Sequence, residues 1–192
     1  MMLNTLKTFI KDNYGSKRGF LASSKYYCLH RIGYLRELRD VDFTRVRKLV
    51  FVCSGNICRS PFAEFYARHL GLAAESYGLH CRGGDPVDAR VVQIAGKLNI
   101  HIPCHVTRNI EEYRPQPEDL VIGMEPNHIA DLDPDIANHA QVTLLALWAE
   151  EPSLYLHDPF ISTDGYFEKC ATNIATALDA IKERLHEENA DA

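Results

Sequence analysis

The chain has 192 residues, 46% of them hydrophobic, and a net charge of −5, which predicts one globular domain with a packed core, with or without an appendage. No apolar run reaches the roughly 18 residues of a membrane-spanning helix, and the N-terminus lacks the apolar core of a signal peptide, so we expect a cytoplasmic protein. The six cysteines are scattered and form no Cys-x-x-Cys pair, which argues against a disulfide framework and against structural zinc.

The first quarter of the chain differs in charge from the remainder. Residues 1–48 carry 11 Lys and Arg against 4 Asp and Glu, a balance of +7, whereas residues 49–192 carry 10 against 22, a balance of −12. We therefore interpret residues 1–46 as a basic helical N-terminal extension and residues 47–192 as the main domain. The extension is either an accessory layer with a solvated basic face or a surface for peripheral contact with a membrane or an acidic partner.

Two helices are expected in the extension. Apolar residues at helical spacing predict the first over residues 2–12: Leu3, Leu6, Phe9 and Ile10. Residues 15–24, which begin with a glycine and contain another, are typical of a break in the chain. A second helical stretch is expected over about residues 24–39.

From residue 48 onward, short apolar runs alternate with helical patterns. Strands are predicted over residues 48–52, 74–77, 119–123 and 142–145. Helices are predicted over residues 61–70, 87–98, about 126–138 and about 164–187, with a polar tail after the last. This alternation predicts an α/β fold: a central four-stranded parallel sheet flanked by helices, with a phosphate-binding loop after the first strand.

The loop after the first strand reads Cys53-Ser54-Gly55-Asn56-Ile57-Cys58-Arg59-Ser60-Pro61. A strand that leads through a tight loop into a helix builds an anion site, because free backbone N–H groups and the positive end of the helix dipole meet there. Such a site stabilises a thiolate. A lone cysteine is commonly buried and inert, but Gly55 and Asn56 tolerate left-handed backbone, and Arg59 can bind phosphate oxygens in pairs. The pattern favours Cys53 as a nucleophile.

Neighbouring residues leave alternatives open. Ser60 is expected to cap the helix that begins at Pro61, and its hydroxyl would also lie near the thiolate. Cys58 is either filler or the partner of Cys53 in a reversible disulfide. A phosphorylated oxygen needs a proton as it leaves, and Asp158, in His157-Asp158-Pro159-Phe160, could supply it. Spacing alone does not select Asp158 among 26 acidic residues, and Asp-Pro is often only a turn.

The loop sequence, followed by Ala63-Glu64, resembles the signature of the low-molecular-weight protein tyrosine phosphatases. That family also carries a distal Asp-Pro followed by an aromatic residue, and the resemblance covers about residues 48–187. It implies in-line attack by the Cys53 thiolate and a phosphocysteine intermediate, with no metal and no other cofactor. It also implies that Asp158 protonates the leaving oxygen and then activates water.

The resemblance further implies roles for residues around the nucleophile. Arg59 and the loop amides would hold the phosphate oxygens; the loop positions are Ser54, Gly55, Asn56, Ile57, Cys58 and Ser60. Ser76 and His105 would support the loop. Phe160 would form the wall of the substrate site.

Departures from the family pattern bear on the substrate. Eukaryotic members have two tyrosines after the Asp-Pro, where this chain has Phe160 and Ile161, so the resemblance is to bacterial members. A related branch that dephosphorylates arginine has Thr at the position of Ile57, and the apolar Ile57 favours phosphotyrosine. Arsenate reductases of this fold need two closely spaced later cysteines, and Cys81 and Cys104 are 23 positions apart.

The sequence therefore predicts a protein tyrosine phosphatase whose partner is a phosphotyrosine protein. Bacterial relatives often oppose tyrosine kinases of polysaccharide export, so such a kinase is a hypothetical partner. We expect no nucleic-acid partner. Three alternatives remain: an arginine phosphatase of the same fold, a phosphate-binding adaptor with a vestigial loop, and a membrane or partner docking module built on the extension.

Overall fold

A single parallel sheet organises the chain. The computed structural model describes residues 2–102 and 104–190. Its strands are β1 (Lys48–Cys53), β2 (Ala74–Gly78), β3 (Asp119–Gly123) and β4 (Gln141–Leu144). They pair in the order β2-β1-β3-β4, every pair parallel. The predicted four-stranded parallel sheet is confirmed.

Helices cover the sheet and precede it. They are α1 (Met2–Tyr14), α2 (Lys17–Arg31), α3 (Arg59–His69), α4 (Ala89–Lys97), α5 (Pro126–Ala130), α6 (Pro134–His139) and α7 (Asp164–Ala190). Short 3-10 turns lie at Arg36–Arg39, Ile110–Glu112 and Leu145–Trp148. Within the described residues, no helix combines the length and apolar character needed to cross a bilayer.

Strand β1 divides its side chains between two apolar clusters. Leu49, Phe51 and Cys53 join the cluster that also contains the apolar faces of α3 and α7. Val50 and Val52 join the cluster on the opposite face of the sheet. Because side chains alternate along a strand and both faces are covered, β1 is apolar from Leu49 to its end at Cys53. This alternation puts Cys53 on the α3 face, at the carboxyl end of the strand.

The predicted break over residues 15–24 is wrong. Only Gly15 and Ser16 separate the first two helices: Gly15 turns the chain at φ +72°, and the Ser16 side chain caps α2 by accepting from the Gly19 N–H. Gly19 lies inside α2, where Tyr14 and His157 come so close that a Cβ would not fit. The helix ends at Arg31, well before the predicted residue 39.

Two helices of the main domain also differ from prediction. The stretch 126–138 forms two helices, because Asp133 caps a new helix at the Asp135 N–H and Pro134 has no N–H to continue the first. The helix predicted at Pro61 begins at Arg59, so Ser60 lies within its first turn and is not its cap. The last helix reaches Ala190, and residues 191 and 192 of the predicted tail lie outside the described residues.

Residues before β1 pack on the main domain. Helix α1 contacts α7. Phe43 and Val46 are buried in the same cluster as β1. The Phe43 ring meets Trp148 edge to face, with centroids 5.0 Å apart. The segment that joins the N-terminal helices to the sheet therefore contributes to the central core.

Candidate active site

The loop after β1 curls around the Cys53 thiol. The Asn56 N–H points at Cys53 Sγ from 3.3 Å, and Asn56 takes left-handed backbone at φ 53°. Asparagine tolerates this conformation better than most residues. The loop ends in α3, whose cap residue Cys58 makes no side-chain hydrogen bond to the first turn. The backbone amides of that turn are therefore free to face an anion.

A buried hydrogen-bond network fixes the loop from behind. Asn56 donates through Nδ2 to Ser60 Oγ at 2.9 Å and to Ser76 Oγ at 2.8 Å. Asn56 Oδ1 accepts from the Arg108 backbone N–H at 2.9 Å. Ser60 Oγ in turn lies 3.0 Å from Cys53 Sγ. Three of the predicted site residues, Asn56, Ser60 and Ser76, therefore meet beside the thiol.

The network ends on a buried carboxylate that the sequence analysis did not single out. Ser76 Oγ donates to Glu64 Oε2 at 2.6 Å, and Glu64 also pairs with Arg68 at 2.7 Å and Arg108 at 3.3 Å. Glu64 is almost fully buried, so its charge needs both arginines. It holds the hydroxyl of Ser76 in one orientation.

His105 lies next to this network. Its ring meets Phe65 edge to face, with centroids 5.6 Å apart, and its buried Nε2 forms no hydrogen bond to any described residue. Burial lowers the pKa of His105, against the opposing effects of the Glu64 carboxylate and the Asn56 backbone. The predicted support residue is thus a neighbour of Asn56 and packs against α3.

Arg59 is buried beneath the loop with only 1% of its side chain exposed. Its Nη1 donates to the Leu156 carbonyl at 2.9 Å and to Glu125 Oε1 at 3.2 Å. Its Nη2 pairs with Asp158 Oδ2 at 2.9 Å. Burial alone would lower the pKa of Arg59, but the charges of Asp158, Cys53 and Glu125 raise it above its ordinary value. The guanidinium therefore stays charged.

Glu125 and His128 anchor the guanidinium from the β3 side. Burial would raise the pKa of Glu125, but hydrogen bonds from His128 and Arg59, together with the charge of Arg59, lower it to about 2. The Met124 N–H donates to His128 Nδ1 at 3.2 Å. His128 Nε2 must therefore carry the proton, and it faces Glu125 at 3.2 Å and Ser54 Oγ at 3.1 Å. Burial lowers the pKa of His128, in agreement with a neutral ring.

Asp158 lies at the mouth of the site, with 45% of its side chain exposed. Its Oδ1 accepts from the Phe160 N–H at 3.1 Å, so the carboxylate is fixed by its own turn as well as by Arg59. Arg90 holds the same turn by donating to the Phe160 carbonyl at 2.7 Å. Arg90 is itself paired with Asp88 at 2.7 Å.

These groups surround a cavity of about 220 Å³. Its lining contains the loop, the acid and an apolar rim: Cys53, Ser54, Gly55, Ile57, Cys58, Arg59, His80, Asp158 and Phe160. Phe160 is half exposed, so Ile57 and Phe160 give the cavity two apolar walls above a polar floor. His80 was not predicted at this rim.

The thiol of Cys58 differs from that of Cys53 in its surroundings. Burial, followed by the charges of Asp88 and Asp158, raises the pKa of Cys58 far above its ordinary value. Cys58 Sγ lies 3.9 Å from Asp88 Oδ2, to which it can donate. Among the described residues all six cysteines are free thiols, so Cys58 is a protonated thiol beside the nucleophile.

A larger cavity, of about 640 Å³, opens at the other end of β1. It lies between that strand and the end of α7, and its described lining contains no cysteine and no acidic side chain. Volume alone would select this cavity, but the smaller one has the nucleophile, the cation and the acid. The chemistry therefore identifies the smaller cavity as the candidate active site.

Sequence reasoning missed the residues that hold the charged groups in place: Glu64, Glu125, His128 and Arg90. One signal was available for two of them. Glu125 and His128 follow β3, and parallel strands bring their carboxyl ends to one edge of a sheet, where Cys53 lies. Glu64 was quoted only as part of the signature.

Comparison with known proteins gives a consistent result. The family described as low molecular weight phosphotyrosine protein phosphatase matches residues 48–191. Low molecular weight protein-tyrosine-phosphatase Wzb of Salmonella typhi is 31% identical over 143 residues, which cover 69% of this chain and 95% of that protein. Low molecular weight protein-tyrosine-phosphatase Etp of Escherichia coli K12 is 28% identical over 129 residues, 65% of this chain and 84% of its own.

Solved structures share the fold. The YwlE arginine phosphatase from Geobacillus stearothermophilus superimposes with a TM-score of 0.65 at 19% identity, covering 76% of this chain and 96% of its own. At that identity the likeness concerns the fold alone.

Proposed function

The chain belongs to the low molecular weight phosphotyrosine protein phosphatase family, and we propose that it hydrolyses phosphotyrosine in proteins through a phosphocysteine on Cys53. The observation that carries the proposal is the convergence of Cys53, Arg59 and Asp158 on one cavity. Each of the three supplies one requirement of phosphoryl transfer: a nucleophile, a cation for the equatorial oxygens and a proton donor.

Attack begins at the Cys53 sulfur. Ser60 Oγ accepts from Asn56, so its own proton is free to point at Cys53 Sγ, 3.0 Å away, or at the more distant Tyr77 carbonyl, 3.4 Å away. The Asn56 N–H adds a second donor to the sulfur. Both donors point at the sulfur that acts as the nucleophile, and the thiolate is the nucleophilic form of a cysteine.

Arg59 binds the phosphoryl group by changing partners. Its Nη1 is held by Glu125 and the Leu156 carbonyl, and its Nη2 faces Asp158. A phosphate dianion in the cavity competes with Asp158 for Nη2. The displaced Asp158 carboxyl then lies at the mouth of the cavity, where the leaving oxygen departs. Substrate binding thus prepares the acid.

The reaction then takes two steps. In the first, the Cys53 thiolate forms a bond to phosphorus as the phosphorus–oxygen bond breaks, and Asp158 gives its proton to the leaving phenolic oxygen. In the second, the Asp158 carboxylate takes a proton from water as the water oxygen attacks phosphorus. The thiolate leaves, and inorganic phosphate is released.

The rim of the cavity supports an aromatic substrate. Ile57 and Phe160 line it on two sides, and a planar ring between apolar walls gains burial of both faces. The substrate would be a phosphotyrosine protein in the cytoplasm, for which an autophosphorylated tyrosine kinase of polysaccharide export is the hypothetical example. A phosphorylated arginine presents a charged guanidinium to the same walls and gains less from them.

Two variants test the mechanism. Cys53→Ser should abolish turnover of phenyl phosphate, and Cys28→Ser, at an exposed position of α2, should retain it. Asp158→Ala should lower kcat/KM for phenyl phosphate by about 10²-fold to 10⁴-fold, while inhibition by inorganic phosphate stays equal or becomes tighter. Substantial turnover by Cys53→Ser would contradict the proposal and leave an adaptor or another nucleophile as the explanation.

A separate comparison tests the substrate. The wild-type chain should hydrolyse phosphotyrosine peptides with a higher kcat/KM than phosphoarginine peptides of the same sequence. Ile57→Thr should lower kcat/KM for the phosphotyrosine peptide about fivefold to tenfold, because the ethyl branch of a partly buried side chain is replaced by a hydroxyl. A preference for phosphoarginine in the wild-type chain would make it an arginine phosphatase.

A further inference from the structure

The N-terminal helices contact the segment that carries the proposed acid. Ser16 Oγ, in the turn between α1 and α2, lies 3.0 Å from His157 Nε2. The His157 ring also packs against the backbone of Gly15 and Gly19; an added Cβ at either glycine would lie 2.7 Å from His157 Cδ2. Since His157 directly precedes Asp158, the turn holds the backbone of the acid through its neighbour.

Both ring nitrogens of His157 are hydrogen-bonded. Ser16 Oγ accepts from the Gly19 N–H at 2.9 Å and is also paired with His157 Nε2. His157 Nδ1 is paired with the Tyr155 hydroxyl at 2.7 Å, and in a neutral ring one nitrogen donates while the other accepts. Burial, with the charge of Arg59, lowers the pKa of His157, in agreement with this neutral form.

The acid segment, residues 155–163, is held by two further contacts, one on either side of Asp158. Tyr26 of α2 stacks on Tyr155, with ring centroids 5.4 Å apart and planes 19° apart. Beyond the acid, Thr163 Oγ1 donates to Asp12 of α1 at 3.1 Å. The acid turn lies between these two points, and it also contacts Arg59, Arg90 and Tyr166 of α7, whose hydroxyl donates to the His157 carbonyl at 3.3 Å.

We propose that the α1–α2 hairpin positions the general acid of the reaction, with Ser16 as the positioning residue that acts through His157. The inference rests on the proposed role of Asp158. Half of the Asp158 side chain faces solvent and its turn is short, so the sheet alone provides little restraint. The hairpin adds to the restraint from Arg59, Arg90 and α7, and its residues lie outside the stretch that matches the family.

The test compares two esters that differ in their need for an acid. Phenyl phosphate releases a weakly acidic phenol, and 2,4-dinitrophenyl phosphate releases a far more acidic one that departs without a proton. We use kcat/KM because it reports the steps up to departure of the phenol and excludes hydrolysis of the phosphocysteine.

Ser16→Ala should lower kcat/KM for phenyl phosphate about threefold to tenfold, the effect of losing one hydrogen bond. It should change kcat/KM for the dinitrophenyl ester by less than about twofold. Ser16→Thr, which keeps the hydroxyl, should restore the activity. Ser24→Ala is the matched control, because among the described residues Ser24 Oγ bonds the Phe20 carbonyl of its own helix and nothing in the acid segment. Tyr26→Leu should behave like Ser16→Ala, and Tyr27→Leu, whose ring is exposed, like the wild-type chain.

The dependence on Asp158 completes the test. In the Asp158→Ala background, Ser16→Ala should cause no further loss with phenyl phosphate. If Ser16→Ala lowers kcat/KM equally for both esters, or for neither, the positioning role is overturned. If Asp158→Ala itself affects both esters equally, the acid assignment fails, and the inference fails with it.

Discussion

Arg59 lies between two carboxylates that differ in exposure. Glu125 is mostly buried and bonded to His128, whereas Asp158 is half exposed and bonded to its own turn. The buried carboxylate fixes the guanidinium, and the exposed one is free to exchange with a substrate. Arg59 is therefore fixed through Nη1, while Nη2 can exchange Asp158 for an oxygen of the substrate.

The charge of Glu125 gives a prediction on stability. Its pKa lies at about 2 in the folded chain, below its ordinary value, so its stabilisation is complete above pH of about 4.5 and is lost as pH falls toward 2. The difference in the free energy of unfolding between the wild-type chain and Glu125→Gln should therefore shrink by about 2 kcal/mol as pH is lowered from about 6 to 3. Urea denaturation across this range measures it.

Glu118→Gln, at an exposed position, is the control for that series. It should track the wild-type chain at every pH. A constant difference between Glu125→Gln and the wild-type chain over the whole range would show that the Glu125 carboxylate is not held in its charged form by Arg59.

At the scale of elements, a glycine in the sequence suggests a break in a helix, but a glycine is also needed where two segments pack closely. Sequence reasoning predicted the sheet, the order of its strands along the chain and the loop because apolar runs, turns and caps are local signals. It misplaced α2 because Gly19 is typical of a break, whereas the structure needs it where α2 passes His157. A contact between residues 141 positions apart leaves no local signal. The same holds for Glu125, whose partner Arg59 is 66 positions away.

Paired glycine substitutions test this explanation. A Cβ at Gly19 would lie 1.9 Å from the Tyr14 carbonyl oxygen and 2.7 Å from His157 Cδ2, whereas a Cβ at Gly96 of α4 would meet no atom of the described residues within 4 Å. Gly19→Ala should destabilise the fold by about 1–3 kcal/mol. Gly96→Ala should stabilise it by about 0.5–1 kcal/mol, the usual helix preference for alanine. Urea denaturation midpoints measure both, and a stabilising Gly19→Ala would contradict the close packing of α2.

At the scale of the whole molecule, the basic N-terminal segment is joined to the phosphatase core at two places. Its helices contact α7 and the acid segment, and Phe43 is buried against Trp148 in the core. Charge and composition separated residues 1–46 from the remainder of the chain, but packing is a three-dimensional property that composition does not report.

This packing predicts a single unfolding transition. Trp148 fluorescence, which senses the contact with Phe43, and helical circular dichroism, to which α1 and α2 contribute, should change at the same urea concentration. Phe43→Ala should lower the free energy of unfolding by about 3–5 kcal/mol and shift both curves together. An earlier loss of helical signal, with fluorescence unchanged, would show that the N-terminal helices unfold independently.

The central claim is that the phosphoryl group passes through Cys53. The most direct measurement is rapid quench of Asp158→Ala with 2,4-dinitrophenyl phosphate, followed by peptide mass mapping. This ester phosphorylates the cysteine without the help of an acid. Because the variant lacks the base for the second step, the phosphocysteine should accumulate. We expect one phosphoryl group on the peptide that contains Cys53. This phosphoryl group should be absent from the Cys53→Ser, Asp158→Ala double variant. A phosphoryl group on any other residue would contradict it.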